Sequence, residues 1–172
     1  TYDILGLIES VSPDTSVTEE EVRGHLQSFS REFEQKFPPY SSKPILGKPS
    51  FVHARKGEDE IEQPAKTVFV QSIELRRLYT LSGEEVLQTV RQRVEKVRGD
   101  FRQEQVLTDW RMEMKKYGAR VFTVAVIDIV SSSGTYVRSI AHEWGKNMGV
   151  GAIAYSIVRT RVGDYEITHS IR

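Results

Sequence analysis

The chain has 172 residues, 24 basic against 24 acidic side chains, 38% apolar residues and no cysteine. That length suits one domain with a sizeable core, and no run approaches the roughly 18 apolar residues of a membrane-spanning helix. Without thiols there is no disulfide framework, cysteine nucleophile or thiolate metal site, and without a charged-then-apolar leader the chain reads as cytoplasmic.

Residues 2–9, YDILGLIE, read as a short strand that a polar turn at Ser12, Pro13 and Asp14 ends. The sequence opens inside this strand at Thr1 without an initiator methionine, which points to further residues upstream. A helix is expected next, because Val22, Leu26, Phe29, Phe33 and Phe37 recur at helical spacing behind a Thr18/Glu21 capping box, with Val17 as staple. Residues 38–57 are rich in proline and cannot form a long helix or a central strand. They predict a shaped loop whose end, FVHARKG, is a short helix closed by Gly57. Residues 66–75 read as a strand rich in β-branched side chains.

From Ser82 to about Lys116 the pattern is helical: Ser82 and Glu85 make a second capping box, and Val86, Val90, Val94, Val97 and Phe101 line one side. Gly99 breaks it, and a second segment carries Trp110 and Met114 to Gly118. Residues 119–130 are apolar on both alternating faces and predict a central strand buried between layers. Gly134 then opens a helix whose Val137, Ile140, Ala141, Trp144 and Met148 face the core, with Gly149 as its stop. Residues 152–161 return as a strand, and 164–169 extend the sheet or start a tail. Strands and helices intersperse without a βαβ rhythm, so the class is α+β, with a mixed, mainly antiparallel sheet flanked by helices.

Overall charge balance does not argue for nucleic acid, but residues 38–56 carry Lys43, Lys48, Arg55 and Lys56 against no acid. This is either a solvated loop or a contact for phosphates. His25, His53, His142 and His169 have no metal-ligand spacing, and there is no Walker loop, dinucleotide fingerprint or nucleophile elbow. The sharpest local feature is SSSGTYVR, Ser131 to Arg138, where a strand turns into a helix. Backbone amides, hydroxyls and the Arg138 fork suit an anion there; a helix cap with a structural salt bridge is the alternative. Arg159 and Arg161 alternate on the predicted following strand, and Tyr2, Tyr40, Phe51 and Tyr136 offer aromatic surfaces for bases or for the core.

Three ordered stretches resemble the TruB-type tRNA pseudouridine synthases. PPYSSKPILGKPSFVHARKG is similar to that family's P-P-x-Y-S-A-x-K-x-x-G-x-x-x-Y-x-x-A-R-x-G, SSGTYVRSIA to its S-S-G-T-Y-I-R-S-L-A, and GVGA followed by RTRVG to its G-x-G-A and R-T-R-x-G. Departures are local: Pro44 stands at the lysine position with Lys43 beside it, Phe51 replaces a tyrosine, and Val158 replaces the first arginine of the arginine-rich strand. Residues 82–116 read as a helical insertion for packing or partner contact. The family's nucleophilic aspartate lies in a G-x-x-G-T-L-D-P-x-A-x-G motif, which nothing in this sequence matches.

The resemblance implies part of a catalytic domain that acts on a T-loop uridine of tRNA, position 55, with no cofactor, metal or membrane involved and no protein partner evident. The uridine would leave its stack and enter a pocket. Tyr2 would fall at the family's K-x-Y position and stack on the base, and Arg138 would pair with the aspartate supplied from outside this sequence. Tyr136 would line the base pocket, Ile157 would take the place of the family's apolar contact, Tyr40 would also bind substrate, and Lys43, Lys48, Arg159 and Arg161 would meet phosphates. An Arg138 head group shut away from any cleft and tied to an acid of this same chain would count against that assignment. The alternatives are an RNA-binding or RNA-folding module without chemistry and a guide-RNA-dependent relative.

Overall fold

Antiparallel pairing around one long strand organises the chain. The computed structural model describes residues 2–12, 16–57, 63–99, 101–117 and 119–169. The expected Pro13–Asp14 turn, the opening residue Thr1 and Gly118 lie outside them. Strand β4, Ala65–Ser82, pairs through Phe69 with β1, Glu32–Lys36, and from Val70 onward with β5, Val121–Ser131. Register shifts at Val70/Ser72 and Leu75/Arg77 bend it locally. The predicted strand at 66–75 is therefore present and longer, because its backbone keeps a partner all the way to Ser82.

The sheet order is β1-β4-β5, which corrects the expectation that residues 119–130 form the central strand. Ala125, Ile127 and Ile129 face the core, but Val121 and Val130 on β5 stay 55% and 42% exposed. A run of β-branched residues reflects strand propensity as much as burial, and an edge strand leaves some of them open.

Helix α1, Glu19–Gln27, starts with the expected capping box: Glu21 N donates to Thr18 Oγ1 at 3.2 Å, and Thr18 N donates to Glu21 Oε2 at 2.8 Å. It ends earlier than the aromatic stripe implies. Phe29 lies in the following turn, Phe33 on β1 and Phe37 beyond it, because pairing of β1 with β4 overrides helical continuation. The proline-rich stretch folds as a small hairpin of β2, Pro44–Ile45, and β3, Lys48–Pro49, leading into α2, Ser50–Arg55, as the predicted short helix before Gly57. Buried Ser50 and His53 shape it: Ser50 Oγ donates to Pro39 O at 2.6 Å, and His53 Nε2 lies 3.0 Å from Ile45 O.

Helices α3, Gly83–Val94, and α4, Gln103–Lys116, project from the β4–β5 pair and break around Gly99 as predicted. Val86, Val90, Val94, Val106, Trp110 and Met114 close around Ile4 as one core. A second core joins Val22, Leu26, Phe29, Val70, Ile73 and Leu75 to Ile140 of α5, Val137–Asn147, with Trp144 and Met148 packed against it.

Two predicted strands are corrected. Residues 2–9 form a turn, with one bridge at Asp3 to Ala154, since their backbone groups bond to side chains: Leu5 N to Asp3 Oδ1 at 3.1 Å, Ile8 N to Asp109 Oδ2 at 2.7 Å, and Gly6 O from Trp110 Nε1 at 2.9 Å. Among the described residues, 152–160 share only that bridge. Beyond them Arg161–Val162, β6, pairs with Tyr165–Glu166, β7, as a hairpin apart from the main sheet, with Ile157 and Val158 left 52% and 68% exposed. The α+β class itself matches the sequence expectation.

Candidate active site

The SSSGTYVR corner lies where β5 has run out and β1 takes over the same central strand. Ser132 N donates to Phe69 O at 2.8 Å, Phe69 N donates to Ser132 Oγ at 3.0 Å, and Lys66 Nζ donates to Ser133 O at 2.9 Å. From β1 the buried Gln35 reaches across. Its Nε2 donates to Tyr136 O at 3.1 Å, and its Oε1 accepts from Tyr136 N at 2.8 Å. Both backbone groups of the residue that caps α5 are thereby held by one carboxamide, and the Phe37 ring lies 5.7 Å from that of Tyr136. A buried amide bonded through both its oxygen and its nitrogen fixes orientation more than it adds stability.

Arg138 follows in the first turn of α5. One Nη donates to Asp3 Oδ2 at 2.9 Å, the other donates to Tyr40 O, and Cζ lies 5.9 Å from the Tyr136 ring centre. Within this chain the acid beside Arg138 is Asp3, a partner that the sequence reading did not name. The two side chains remain 22% and 24% exposed. Such a pair contributes roughly 1 kcal/mol to stability, so its larger effect is directional. A guanidinium carries about five N–H donors in a rigid fork, and Asp3 and Tyr40 use only part of it.

Tyr2 sits next to Asp3, but its ring stacks on His142 with centroids 3.8 Å apart and planes 11° apart. One face of the ring is thus covered by the chain itself. Burial raises the Tyr2 phenol above its ordinary value, and the carboxylates of Glu9 and Glu143 push the same way, so it is a neutral hydrogen-bonding group at physiological pH. Ile4 N donates to Ala154 O at 3.1 Å and Ala154 N donates to Tyr2 O at 2.9 Å, which pins this segment beside the stretch that leaves α5.

Tyr40 is half-buried, with the Arg102 guanidinium 5.3 Å from its ring centre. The structure therefore gathers Tyr2, Tyr40, Tyr136 and Arg138 into one group. It does not draw in Lys43, Lys48, Ile157, Arg159 or Arg161, which are exposed and make no ion pair or hydrogen bond to that group among the described residues. Lys43 and Lys48 flank the β2–β3 hairpin that follows Tyr40. Since residues 156–160 are not a strand, Arg159 and Arg161 do not share a strand face.

Two shallow hollows lie elsewhere, along α1 at Glu19, Arg23 and Gln27, and beside β1 at Glu34, Gln63 and Pro64. Among the described residues no three His, Asp or Glu side chains converge as a metal site, and no helix is long and apolar enough to cross a membrane.

Sequence reasoning missed Asp3, Gln35, His142 and Arg102. Asp3 lies 135 positions from Arg138, and Gln35 lies 101 from Tyr136. No periodicity reports such pairs; the only hint was the adjacency of Asp3 to Tyr2.

The Arg138–Asp3 pair, with Tyr2, Tyr40 and Tyr136 around it, thus lies where an antiparallel sheet delivers a strand into a helix of an α+β fold. The family model described as TruB family pseudouridylate synthase (N terminal domain) matches residues 1–101, and the chain belongs to that family. Similar proteins include tRNA pseudouridine synthase B of Deinococcus deserti, 27% identical over 178 residues that cover 99% of this chain and 52% of that protein. The tRNA pseudouridine synthase B of Phocaeicola vulgatus is 29% identical over 167 residues, covering 97% and 53%. That of Trichormus variabilis is 29% identical over 171 residues, covering 99% and 45%. The chain spans about half the length of the curated relatives it matches.

Proposed function

We propose that the protein carrying this chain isomerises a T-loop uridine of tRNA, position 55, to pseudouridine in the cytoplasm, and that residues 1–172 form part of its catalytic domain, with α3 and α4 as a helical insertion. The observation that carries this reading is the Arg138 fork, set on the family's S-S-G-T-Y-x-R corner and spread between Asp3 and the Tyr40 carbonyl. The nucleophilic acid, whose motif this sequence does not contain, would meet the remaining N–H donors of Arg138. Asp3 then acts as the brace that stops the fork from rotating.

The uridine leaves its stack at a cost of a few kcal/mol and lies against Tyr136 and Tyr2, beside Tyr40, while the exposed Ile157 offers an apolar contact that the structure leaves outside this group. Lys43, Lys48, Arg159 and Arg161, all exposed, meet backbone phosphates. Neither a cofactor nor a metal enters this scheme.

Incubation of the intact protein with a T-arm stem-loop, followed by mass-shift labelling of pseudouridine, tests it. Wild type is expected to modify the loop, and Arg138→Ala to lower turnover about 10²- to 10³-fold while RNA affinity changes only a few-fold. An unmodified loop with intact wild-type protein, together with tight salt-dependent binding, would replace the enzyme with an RNA-binding module.

A further inference from the structure

The turn between α3 and α4 reaches the site, and its backbone is unusual where it does so. Gly99 takes φ +83°, as glycine can, but Arg102, the residue before α4, takes φ +60° and ψ +35°, a left-handed conformation in which a Cβ crowds the carbonyl. Glycine or asparagine would sit there without strain. The turn is not loose. The Gln103 side chain laces it, with Nε2 donating to Val97 O at 3.2 Å and to Gly99 O at 2.6 Å, while Oε1 accepts from Phe101 N at 2.9 Å. Held in this way, Arg102 lays its guanidinium over the Tyr40 ring at 5.3 Å. Tyr40 in turn offers its carbonyl to Arg138.

We infer that Arg102 is a positioning residue: by clamping the Tyr40 ring it fixes the carbonyl that, with Asp3, aims the Arg138 fork. The helical insertion is thus coupled to the site through the chain Arg102, Tyr40, Arg138. Backbone strain at Arg102 is tolerated because the lacing by Gln103 and the core beneath α3 and α4 impose the turn. The inference rests on the proposed synthase reading for its kinetic consequence and on Arg138 alone for its structural one.

Arg102→Gly separates the two, since it relieves the backbone while removing the clamp. In the intact protein, Arg102→Gly is expected to melt at or above the wild-type temperature and to bind a T-arm stem-loop within about twofold of wild type. Its single-turnover rate should fall about 10- to 100-fold, with Arg102→Lys recovering part of the loss through a weaker cation–π contact. In the same samples the two Nη groups of Arg138, distinct by NMR when the fork is held, should rotate about tenfold faster in Arg102→Gly. Wild-type turnover or unchanged Arg138 rotation in Arg102→Gly would overturn the inference. So would weakened RNA affinity at unchanged turnover, which would make Arg102 an RNA contact. If wild type makes no pseudouridine, the synthase reading fails while the Arg138 rotation still decides for or against the clamp.

Discussion

The two hydrophobic cores are built by different means. Around Ile73 and Val70 the core is a sheet face covered by α1 and α5, and its buried side chains come from strand or helix except Phe29, in the turn after α1. Around Val90 and Trp110 two helices close over an irregular segment, with Ile4 buried and Leu5, Leu7 and Ile8 packed against it. That segment has no ladder and depends on side chains of the helical hairpin: Trp110 Nε1 holds Gly6 O, and Asp109 holds Ile8 N. Asp3 precedes Ile4 of this core, and Arg138 lies two residues before Ile140 of the other. The ion pair at the candidate site therefore joins the two cores, and its geometry registers how each is packed. A site assembled across two packing units is sensitive to substitutions that touch neither partner.

The largest expected effect breaks the hairpin core. Trp110→Ala removes a buried indole and its bond to Gly6, and should cost about 3–5 kcal/mol, against about 2–4 kcal/mol for Ile73→Ala in the sheet core. Trp144, packed against the sheet core, reports by fluorescence during urea unfolding. If Trp110→Ala shifts the Trp144 transition, the cores unfold as one unit; an unmoved transition would make them independent and dissolve the coupling drawn here.

A smaller loss is expected at the seam. A Cβ at Gly145 would lie 2.2 Å from Ala152 N, where Val150 N and Gly151 N both donate to Gly145 O. Gly145→Ala must push this segment off α5, at about 1–3 kcal/mol by thermal melting, and should loosen the Ala154 bridge that pins Asp3. A melting temperature equal to wild type would show that the contact yields freely.

The smallest effect sharpens the comparison at the hinge from β4 into α3. Ser82→Ala should cost about 1 kcal/mol through the lost cap. Hydrogen bonds from the Ser82 backbone and hydroxyl lower the Glu85 carboxyl below its ordinary value of 4.5. A carboxyl depressed on folding adds stability above its unfolded value, and that stability is lost as pH falls through the folded one. Glu85→Gln should accordingly flatten the acid limb of stability below pH 4.5, while an unchanged acid limb would deny the box any part in it.

How much of this was legible follows from the range of the interactions. Both capping boxes, the break at Gly99, the short helix before Gly57 and the strand that became β4 rest on neighbours a few residues apart, and sequence spacing reports those directly. The aromatic stripe through Phe29, Phe33 and Phe37 misled because it satisfies a helical period while β4 offers an unpaired edge to the same residues. Residues 2–9 misled in the opposite sense: their apolar pattern fits a strand, yet Trp110 and Asp109 capture their backbone groups. At the site, the SSSGTYVR corner and its arginine stood out from residue types alone, whereas Asp3, Gln35 and Arg102 did not.

From the residues alone came the α+β class, the family resemblance and the capped starts of α1 and α3, since each depends on local order or on a contiguous motif. Only the tertiary structure decided that β4 is central, that Arg138 answers to Asp3, and that a strained arginine on the helical turn braces Tyr40. Those contacts join residues far apart in the chain, and it is the packing of the two cores, not any local pattern, that brings their side chains within bonding distance.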